Sequence, residues 1–297
     1  MKLIFVHGRA QEKFDADTLK AEWTEAWRKG LNKSGLKLPA DVSIEFPYYG
    51  KLLDELVREA QAQPKQAEGK RGGESYSMGE EAEVEFYTTF LGEIAAQSTE
   101  GRAEQREVEE ILEAHRGTPL NWEPVQKLLS FLDRKKIFGE AILKNFTRDV
   151  FMYLTRRHIK ERVNEVVLQS FDNGPCVVVG HSLGSIVSYL VLKNHPEFRV
   201  QKFITLGSPL GLRSVRQFIE PPVQIPDCIN GKDWLNAYDE RDLVALNPLN
   251  REHFNTNPPI ENKKNVKNHT DNHHGIKGYL DDEVVAKVIY EACADKS

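Results

Sequence analysis

The sequence predicts an α/β fold built on a mostly parallel, doubly wound sheet. Three observations support this prediction. The chain opens with a strand–helix–strand pattern, and strands alternate with helices again in its second half. Between these parts, a strand, a tight turn and a helix follow one another directly at residues 175–192. Strand–helix–strand units cross over with a right-handed connection, which makes their strands parallel.

The opening pattern is a β-α-β unit. Residues 3–6 form a short apolar run that reads as a buried strand. Residues 18–33 carry apolar side chains at helical spacing and predict a helix. Residues 41–46 alternate polar and apolar side chains before Pro47 and predict the second strand.

A long insertion follows this unit. About 120 residues precede the next predicted strand, whereas a parallel crossover needs only about a dozen. Helices are predicted at residues 81–96, 125–132 and 137–168. Residues 61–79 are polar and predicted to be mobile. We therefore expect one domain, residues 1–297, with a helical cap or lid inserted at residues 51–145. A partner-binding surface is the competing interpretation of that insertion.

The second half resumes the alternation. An Asn- and Pro-rich section, residues 247–272, comes before a final helix whose acidic start suits the helix dipole. The predicted elements are strands at residues 176–179, 200–206 and 233–238, and helices at residues 186–192 and 281–294.

Composition excludes several classes of function. The 297 residues are 40% hydrophobic and 29% charged with a net charge of −5, so there is no electrostatic case for binding nucleic acid or an anionic membrane. The three widely spaced cysteines fit a reducing compartment. The apolar run after Met1 and Lys2 is too short for a signal peptide, and no run approaches the roughly 20 residues of a membrane helix. We expect a cytoplasmic protein without stable membrane insertion. Nothing in the sequence indicates an oligomeric state.

The turn between the strand and the helix at residues 175–192 reads Gly180-His-Ser-Leu-Gly184. A G-x-S-x-G sequence in this context is typical of a nucleophile elbow, in which a strained turn exposes the serine Oγ above the sheet. Two glycines allow the strand and the helix to pass closely. The pattern predicts Ser182 as a nucleophile.

A serine nucleophile needs a histidine to take its proton and a carboxylate to orient that histidine. In proteins with a nucleophile elbow of this kind, these groups follow along the chain in the order Ser, Asp, His. The chain offers Asp239 or Asp242 as the acid and His273 or His274 as the base. The residue types and their order leave these choices open.

Five stretches together resemble a bacterial α/β-hydrolase of the lipase or esterase kind. They are Val6-His-Gly8, residues 180–185, Thr205-Leu-Gly-Ser-Pro-Leu-Gly211, residues 234–245 and Asn272-His-His-Gly-Ile-Lys-Gly-Tyr-Leu280. The resemblance implies an α/β-hydrolase fold in which the sheet is reduced at its start, because such proteins begin with earlier strands. It also implies Asp242, ahead of a Val-Ala pair, and His274, directly before a glycine, as the triad partners.

The expected oxyanion hole consists of two backbone N–H groups. Leu183, next to the nucleophile, should supply one, and Arg9 or Ala10 in the loop after the first strand should supply the other. Tyr48 and Tyr49 end the second strand and could line a substrate pocket, with core or rim packing as the alternative.

The leading hypothesis is a serine hydrolase that cleaves a small-molecule or lipid carboxylic ester through an acyl-enzyme. A thioesterase, an amidase or a phospholipase effector would use the same triad, and a non-catalytic hydrolase-fold binding module is the alternative of another class. Residues 269–274 contain ligand types that could bind a metal, but the triad already accounts for one of their histidines. No metal and no cofactor are therefore predicted.

Overall fold

The computed structural model describes residues 1–8, 14–62, 79–115, 121–135, 139–230 and 233–294. Its described strands form one sheet of six parallel strands in the order β2-β1-β3-β4-β5-β6. Helices flank this sheet, so the predicted α/β class with a parallel sheet is confirmed. The strands are β1 Lys2–Val6, β2 Ser43–Glu45, β3 Pro175–His181, β4 Arg199–Leu206, β5 Trp234–Ala237 and β6 Glu261–Lys263.

The helices occur along the whole chain. A short 3₁₀ turn, Pro209–Gly211, follows β4. The α-helices are α1 Ala16–Lys33, α2 Gly50–Ala62, α3 Glu80–Gln97, α4 Arg102–His115, α5 Glu123–Arg134, α6 Glu140–Thr155, α7 Arg157–Leu168, α8 Leu183–Lys193, α9 Arg213–Arg216, α10 Ile276–Leu280 and α11 Glu283–Ala294. No described helix combines the length and the apolar composition that crossing a membrane requires.

The chain divides into two compact units. One unit combines Met1–Lys51 with Arg162–Ser297 and contains the sheet, and the other spans Leu52–Glu161 and is helical. The predicted cap, residues 51–145, lies within or at the edge of the helical unit, which extends further toward the C-terminus. Its role as a lid stays a prediction.

The strand order reverses direction between β1 and β3. The chain places β2 on one side of β1 and then adds β3 to β6 in succession on the other side. In the register of β1 with β3, Val6 pairs with Gly180, so the segments after these two residues leave the sheet side by side. In doubly wound sheets, ligands bind in the crevice at the carboxyl ends of the strands where the order reverses.

Alternate side chains of the central strands build the core on one face of the sheet. Phe5 of β1 contacts Trp23 and Trp27 of α1 at ring-centroid distances of 5.4 and 6.3 Å. The indole N–H of Trp27 donates to the carbonyl of Ala286 in α11 at 3.0 Å, which joins the two helices on this face. Both tryptophans are buried, because the helical spacing places them on the side of α1 that faces the sheet.

The helical unit has an aromatic core of its own. Phe86 and Phe90 of α3 stack at 5.5 Å, and Phe86 also contacts Phe151 of α6 at 5.3 Å. Phe90 contacts Phe146 at 5.8 Å. These contacts explain why α3 is buried along most of its length.

Several elements differ from the sequence-based prediction. The predicted single helix over residues 137–168 is wrong, because Arg156 adopts an extended conformation (φ −99°, ψ 103°) that separates α6 from α7. Helix α4 was not predicted, and only Val108 and Ile111 of it are buried. The section 247–272 contains strand β6. Most of the polar stretch 61–79, namely residues 63–78, lies outside the described residues.

Candidate active site

The turn after β3 holds Ser182 in an unusual backbone conformation. β3 ends at His181 and α8 begins at Leu183, so one residue connects them. Ser182 has φ 55° and ψ −126°, a positive φ that residues other than glycine rarely adopt. Such strain persists only where the surrounding structure enforces it, and it is concentrated at functional sites.

Two glycines make this turn sterically feasible. A Cβ on Gly180 would lie 2.8 Å from the carbonyl oxygen of Gly184 and from Cα of Ser185. A Cβ on Gly184 would overlap the carbonyl oxygens of Val6 and His7. The start of α8 therefore packs directly against β3 and the end of β1.

Ser182, His274 and Asp242 form a continuous chain of hydrogen bonds. Ser182 Oγ lies 2.8 Å from Nε2 of His274, and Nδ1 of the same ring lies 2.7 Å from Oδ2 of Asp242. A carboxylate only accepts hydrogen bonds, so Nδ1 carries the proton and Nε2 is left to accept from the serine hydroxyl. The order of groups is that of a nucleophile, its base and the acid that orients the base.

Asp242 is fully buried, with its other oxygen held by the backbone. Its Oδ1 accepts from the N–H of Val244 at 3.1 Å. A buried carboxylate is strongly destabilised unless donors surround it. This carboxylate has donors at both oxygens, and one of them is the candidate base.

The other candidate acid, Asp239, is engaged elsewhere. Its two oxygens bind the guanidinium of Arg241 at 2.9 and 2.6 Å, and Oδ2 also accepts from the N–H of Asn268 at 2.7 Å. Burial favours a raised pKa for Asp239, but the hydrogen bonds from Arg241 and Asn268 outweigh it and lower the pKa. Asp239 thus anchors the loop that carries the histidines and is not hydrogen-bonded to either of them.

The other candidate base, His273, is hydrogen-bonded to the backbone of its own loop. It has a positive φ of 55°, and its Nδ1 donates to the carbonyl of Asn268 at 2.9 Å. The amide of Asn268 in turn donates to the carbonyl of Gly275 at 2.8 Å. The two neighbouring histidines therefore differ in function within the loop: His273 closes the turn, and His274 reaches Ser182.

Leu183, one of the predicted oxyanion donors, directly follows Ser182. It is the first residue of α8, and the N–H groups in the first turn of a helix have no partner within the helix. The helix dipole also favours negative charge at this end. The other predicted donors, Arg9 and Ala10, lie outside the described residues. The chain leading to them passes close to the serine, because a Cβ on Gly8 would be 2.9 Å from Ser182 Cβ.

His7 is a supporting residue that the sequence reasoning did not identify. It is fully buried, and burial lowers its pKa to about 4 although the hydrogen bond to Gly8 acts in the opposite direction. Nδ1 donates to the carbonyl of Gly8 at 2.6 Å, and Nε2 accepts from the N–H of Tyr49 at 3.1 Å. The neutral ring thereby ties the end of β1 to the segment after β2. A histidine directly after a buried apolar strand was the available signal.

The two tyrosines predicted for a substrate pocket have different surroundings. Tyr49 is fully buried, its ring stacks on His7 at 4.0 Å, and its hydroxyl donates to the carbonyl of His7. These contacts favour the packing interpretation for Tyr49. Tyr48 is partly exposed, and its hydroxyl donates to the carbonyl of Phe14 at 2.8 Å.

Two further side chains contact the hydrogen-bonded chain. Nε2 of His181 donates to the backbone carbonyl of His274 at 2.8 Å, and burial followed by the nearby His274 holds the pKa of His181 well below its usual value. The hydroxyl of Tyr279 donates to Oδ2 of Asp242 at 2.6 Å. Neither contact was predicted, since each joins residues that are far apart in sequence.

Within the described ranges, no group of three or more His, Cys, Asp or Glu side chains is arranged to hold a metal ion. Comparison of the sequence with models of known protein families gave no match, and comparison with curated proteins gave none either. The geometry around Ser182 is therefore the main indication of function.

Proposed function

We propose that this protein is a serine hydrolase of the α/β-hydrolase fold that cleaves a carboxylic ester through an acyl-enzyme on Ser182. The observation that carries the proposal is the hydrogen-bonded chain from Ser182 through His274 to Asp242. Three further features support it. The serine has a positive φ, it follows the strand at which the sheet order reverses, and the three residues occur in the order Ser, Asp, His.

In the first half of the proposed reaction, Ser182 Oγ attacks the ester carbonyl carbon while Nε2 of His274 takes the hydroxyl proton. The carbonyl oxygen becomes an oxyanion, for which the N–H of Leu183 is the proposed donor, together with Arg9 or Ala10. When the C–O bond to the alcohol breaks, His274 returns its proton to the departing oxygen. The acyl group is then covalently bound to the serine.

Water completes the cycle by the same steps. His274 takes a proton from the attacking water and returns it to Ser182 Oγ as the second tetrahedral intermediate collapses to the free acid and the serine. Asp242 holds the imidazole in the required tautomer throughout and stabilises its charged form. No cofactor enters this scheme.

The preference for an ester rests on the resemblance to lipase- and esterase-like sequences. The triad chemistry is common to esters, thioesters and amides, so a thioesterase, an amidase or a phospholipase effector would differ only in how the substrate is bound. A small-molecule or lipid ester is the proposed substrate class. Cytoplasmic localisation stays a prediction.

The proposal is tested by covalent labelling with a fluorophosphonate probe, which reacts with activated serines. We expect the native protein to be labelled and Ser182→Ala to remain unlabelled. Ser188→Ala is the matched control, because it removes another buried hydroxyl of the same segment, one that donates to the carbonyl of Gly184 at 2.7 Å. It should be labelled like the native protein.

The base is tested by a second matched pair. His274→Asn should abolish labelling, whereas His273→Asn should retain it, since asparagine tolerates the positive φ at that position. A folded native protein that no fluorophosphonate labels would refute the hydrolase proposal. That result would favour a non-catalytic binding module on the same scaffold.

A further inference from the structure

Tyr279 is buried next to the carboxylate of the proposed triad. It lies in α10, five residues after His274, and its side chain is fully buried. Its hydroxyl is 2.6 Å from Oδ2 of Asp242 and 3.2 Å from the backbone nitrogen of Asp239. One phenolic oxygen therefore contacts both ends of the loop that contains the two aspartates.

The direction of these hydrogen bonds follows from the donors. The N–H of Asp239 can only donate, so the Tyr279 oxygen accepts from it, and the phenolic proton is directed to Oδ2 of Asp242. Burial, and then the charge of Asp242 and the hydrogen bond to it, raise the pKa of Tyr279 well above its usual value. The hydroxyl consequently remains a donor over the whole pH range in which a histidine titrates.

Tyr279 and His274 bind the same oxygen of Asp242. The imidazole Nδ1 is 2.7 Å from Oδ2, and the phenolic oxygen is 2.6 Å from it. Gly207, with φ 55°, completes the packing, because a Cβ there would lie 3.0 Å from Oδ2, 3.0 Å from the Tyr279 ring and 3.2 Å from Nδ1 of His274. The three groups are thus packed together with no room for a methyl group.

We propose that Tyr279 is a positioning residue of the triad: its hydroxyl holds Oδ2 of Asp242 in line with Nδ1 of His274 and reduces the negative potential at the imidazole. This inference rests on the proposed function. A single short segment, residues 274–279, supplies both groups that bind Oδ2. The position of the base is thereby coupled to the position of the acid.

The Tyr279 hydroxyl should change the protonation of His274 in one direction only. The hydroxyl proton directed at the carboxylate offsets part of the negative charge of Asp242. Loss of the Tyr279 hydroxyl therefore makes the His274 imidazole easier to protonate. Among the described residues, the ionisable groups near this site include His181, whose ring centroid is 5.0 Å from that of His274, and Asp239 in its pair with Arg241. His7 lies beyond them, close enough to His181 to contribute to its lowered pKa. The change Tyr279→Phe alters none of these side chains.

The experiment measures the rate of fluorophosphonate labelling at Ser182 as a function of pH. For Tyr279→Phe we expect about a tenfold lower rate at the optimum, the factor produced by loss of one hydrogen bond to a charged group. The acidic limb of the profile of labelling rate against pH should also move to higher pH. With an ester substrate, kcat should fall while KM stays the same, because the buried Tyr279 does not contact substrate.

Tyr189→Phe is the matched control. Tyr189 is also fully buried, and its hydroxyl donates to a backbone carbonyl, that of Gln224, at 3.1 Å. This variant should keep the native acidic limb. Replacement of Tyr279 by 3-fluorotyrosine, a more acidic phenol and a stronger donor, should move the limb to lower pH, opposite to phenylalanine. This second variant also tests the role if Tyr279→Phe does not fold.

Failure of this inference is distinguishable from failure of the proposed function. If the native protein is labelled at Ser182 and both Tyr279 variants keep its acidic limb, the positioning role is wrong and the hydrolase proposal stands. If the native protein is not labelled, the proposed function fails. In that case, NMR titration of the His274 ring tests whether Tyr279 affects its protonation. A titration shifted to higher pH in Tyr279→Phe supports the role of Tyr279, and an identical titration in the two proteins overturns it.

Discussion

Asp242→Asn is the substitution that most clearly separates the two candidate acids. In the native site, Oδ2 accepts from His274 and Tyr279, and Oδ1 accepts from the N–H of Val244. An asparagine amide places an NH₂ group at one of these two positions. If the NH₂ replaces Oδ2, it faces two donors; if it replaces Oδ1, it faces the backbone donor.

The first arrangement has a direct chemical consequence. To accept from the new NH₂, His274 must move its proton from Nδ1 to Nε2, and it can then no longer take the proton of Ser182. The corresponding change in an enzyme with the same triad lowers kcat by roughly 10⁴-fold. We expect a loss of about 10³–10⁴-fold here, which is about 4–5.5 kcal/mol of transition-state stabilisation. An unpaired buried donor should also lower the free energy of unfolding by about 1–3 kcal/mol.

The assay is the hydrolysis of p-nitrophenyl esters of graded acyl length, combined with urea denaturation to measure stability. Asp239→Asn is the matched control. It weakens the contacts of this carboxylate with Arg241 and Asn268, so it should lower stability while kcat falls by less than about tenfold. If Asp239→Asn removes activity and Asp242→Asn retains it, the assignment of the acid is wrong.

Two further predictions concern buried titratable groups. Burial lowers the pKa of His7 from 6.5 to about 4. Between these two pH values the unfolded chain binds a proton at this histidine and the folded protein does not. The free energy of unfolding therefore has its full value above pH 6.5 and decreases as the pH falls toward 4. The decrease in the free energy of unfolding due to His7 is on the order of 3 kcal/mol. Urea denaturation at pH 7 and pH 5 should show a smaller difference in stability for His7→Asn than for the native protein. An equal difference in both proteins would contradict this prediction. The cysteine thiols are also buried, and desolvation raises their pKa values to about 12. They are Cys176, Cys228 and Cys293. The folded protein should resist alkylation at pH 8 and react at all three thiols only in denaturant, and rapid labelling of the native protein would contradict that burial.

Much of the sheet could be predicted because its strands are short apolar runs with glycine or proline at their ends. β1, β3 and the second half of β4 are buried on both faces, which produces nearly continuous apolar sequences. Strand β6, Glu261–Lys263, gave no such signal, because it is a polar edge strand of three residues. The same reason applies to α4, whose surface is largely charged and exposed.

The site could be predicted only in part. The turn around Ser182 is local, so its apolar strand, its two glycines, its serine and the helix after it are all visible in the sequence. The choice of Asp242 over Asp239 depends instead on the contact of Asp242 with His274 and that of Asp239 with Asn268, each of which joins segments far apart in the sequence. The contacts of His7 and Tyr279 are of the same kind.

Identification of the atom that becomes acylated is the most direct test of Ser182 as the nucleophile. The protein is mixed with a p-nitrophenyl ester, quenched in acid within the burst phase and digested, and the modified peptide is located by mass spectrometry. The proposed mechanism predicts one acyl group on Ser182, a burst of p-nitrophenol close to one equivalent, and neither of them in Ser182→Ala. Acylation of another residue, or hydrolysis that persists in Ser182→Ala, would show that this serine is not the nucleophile.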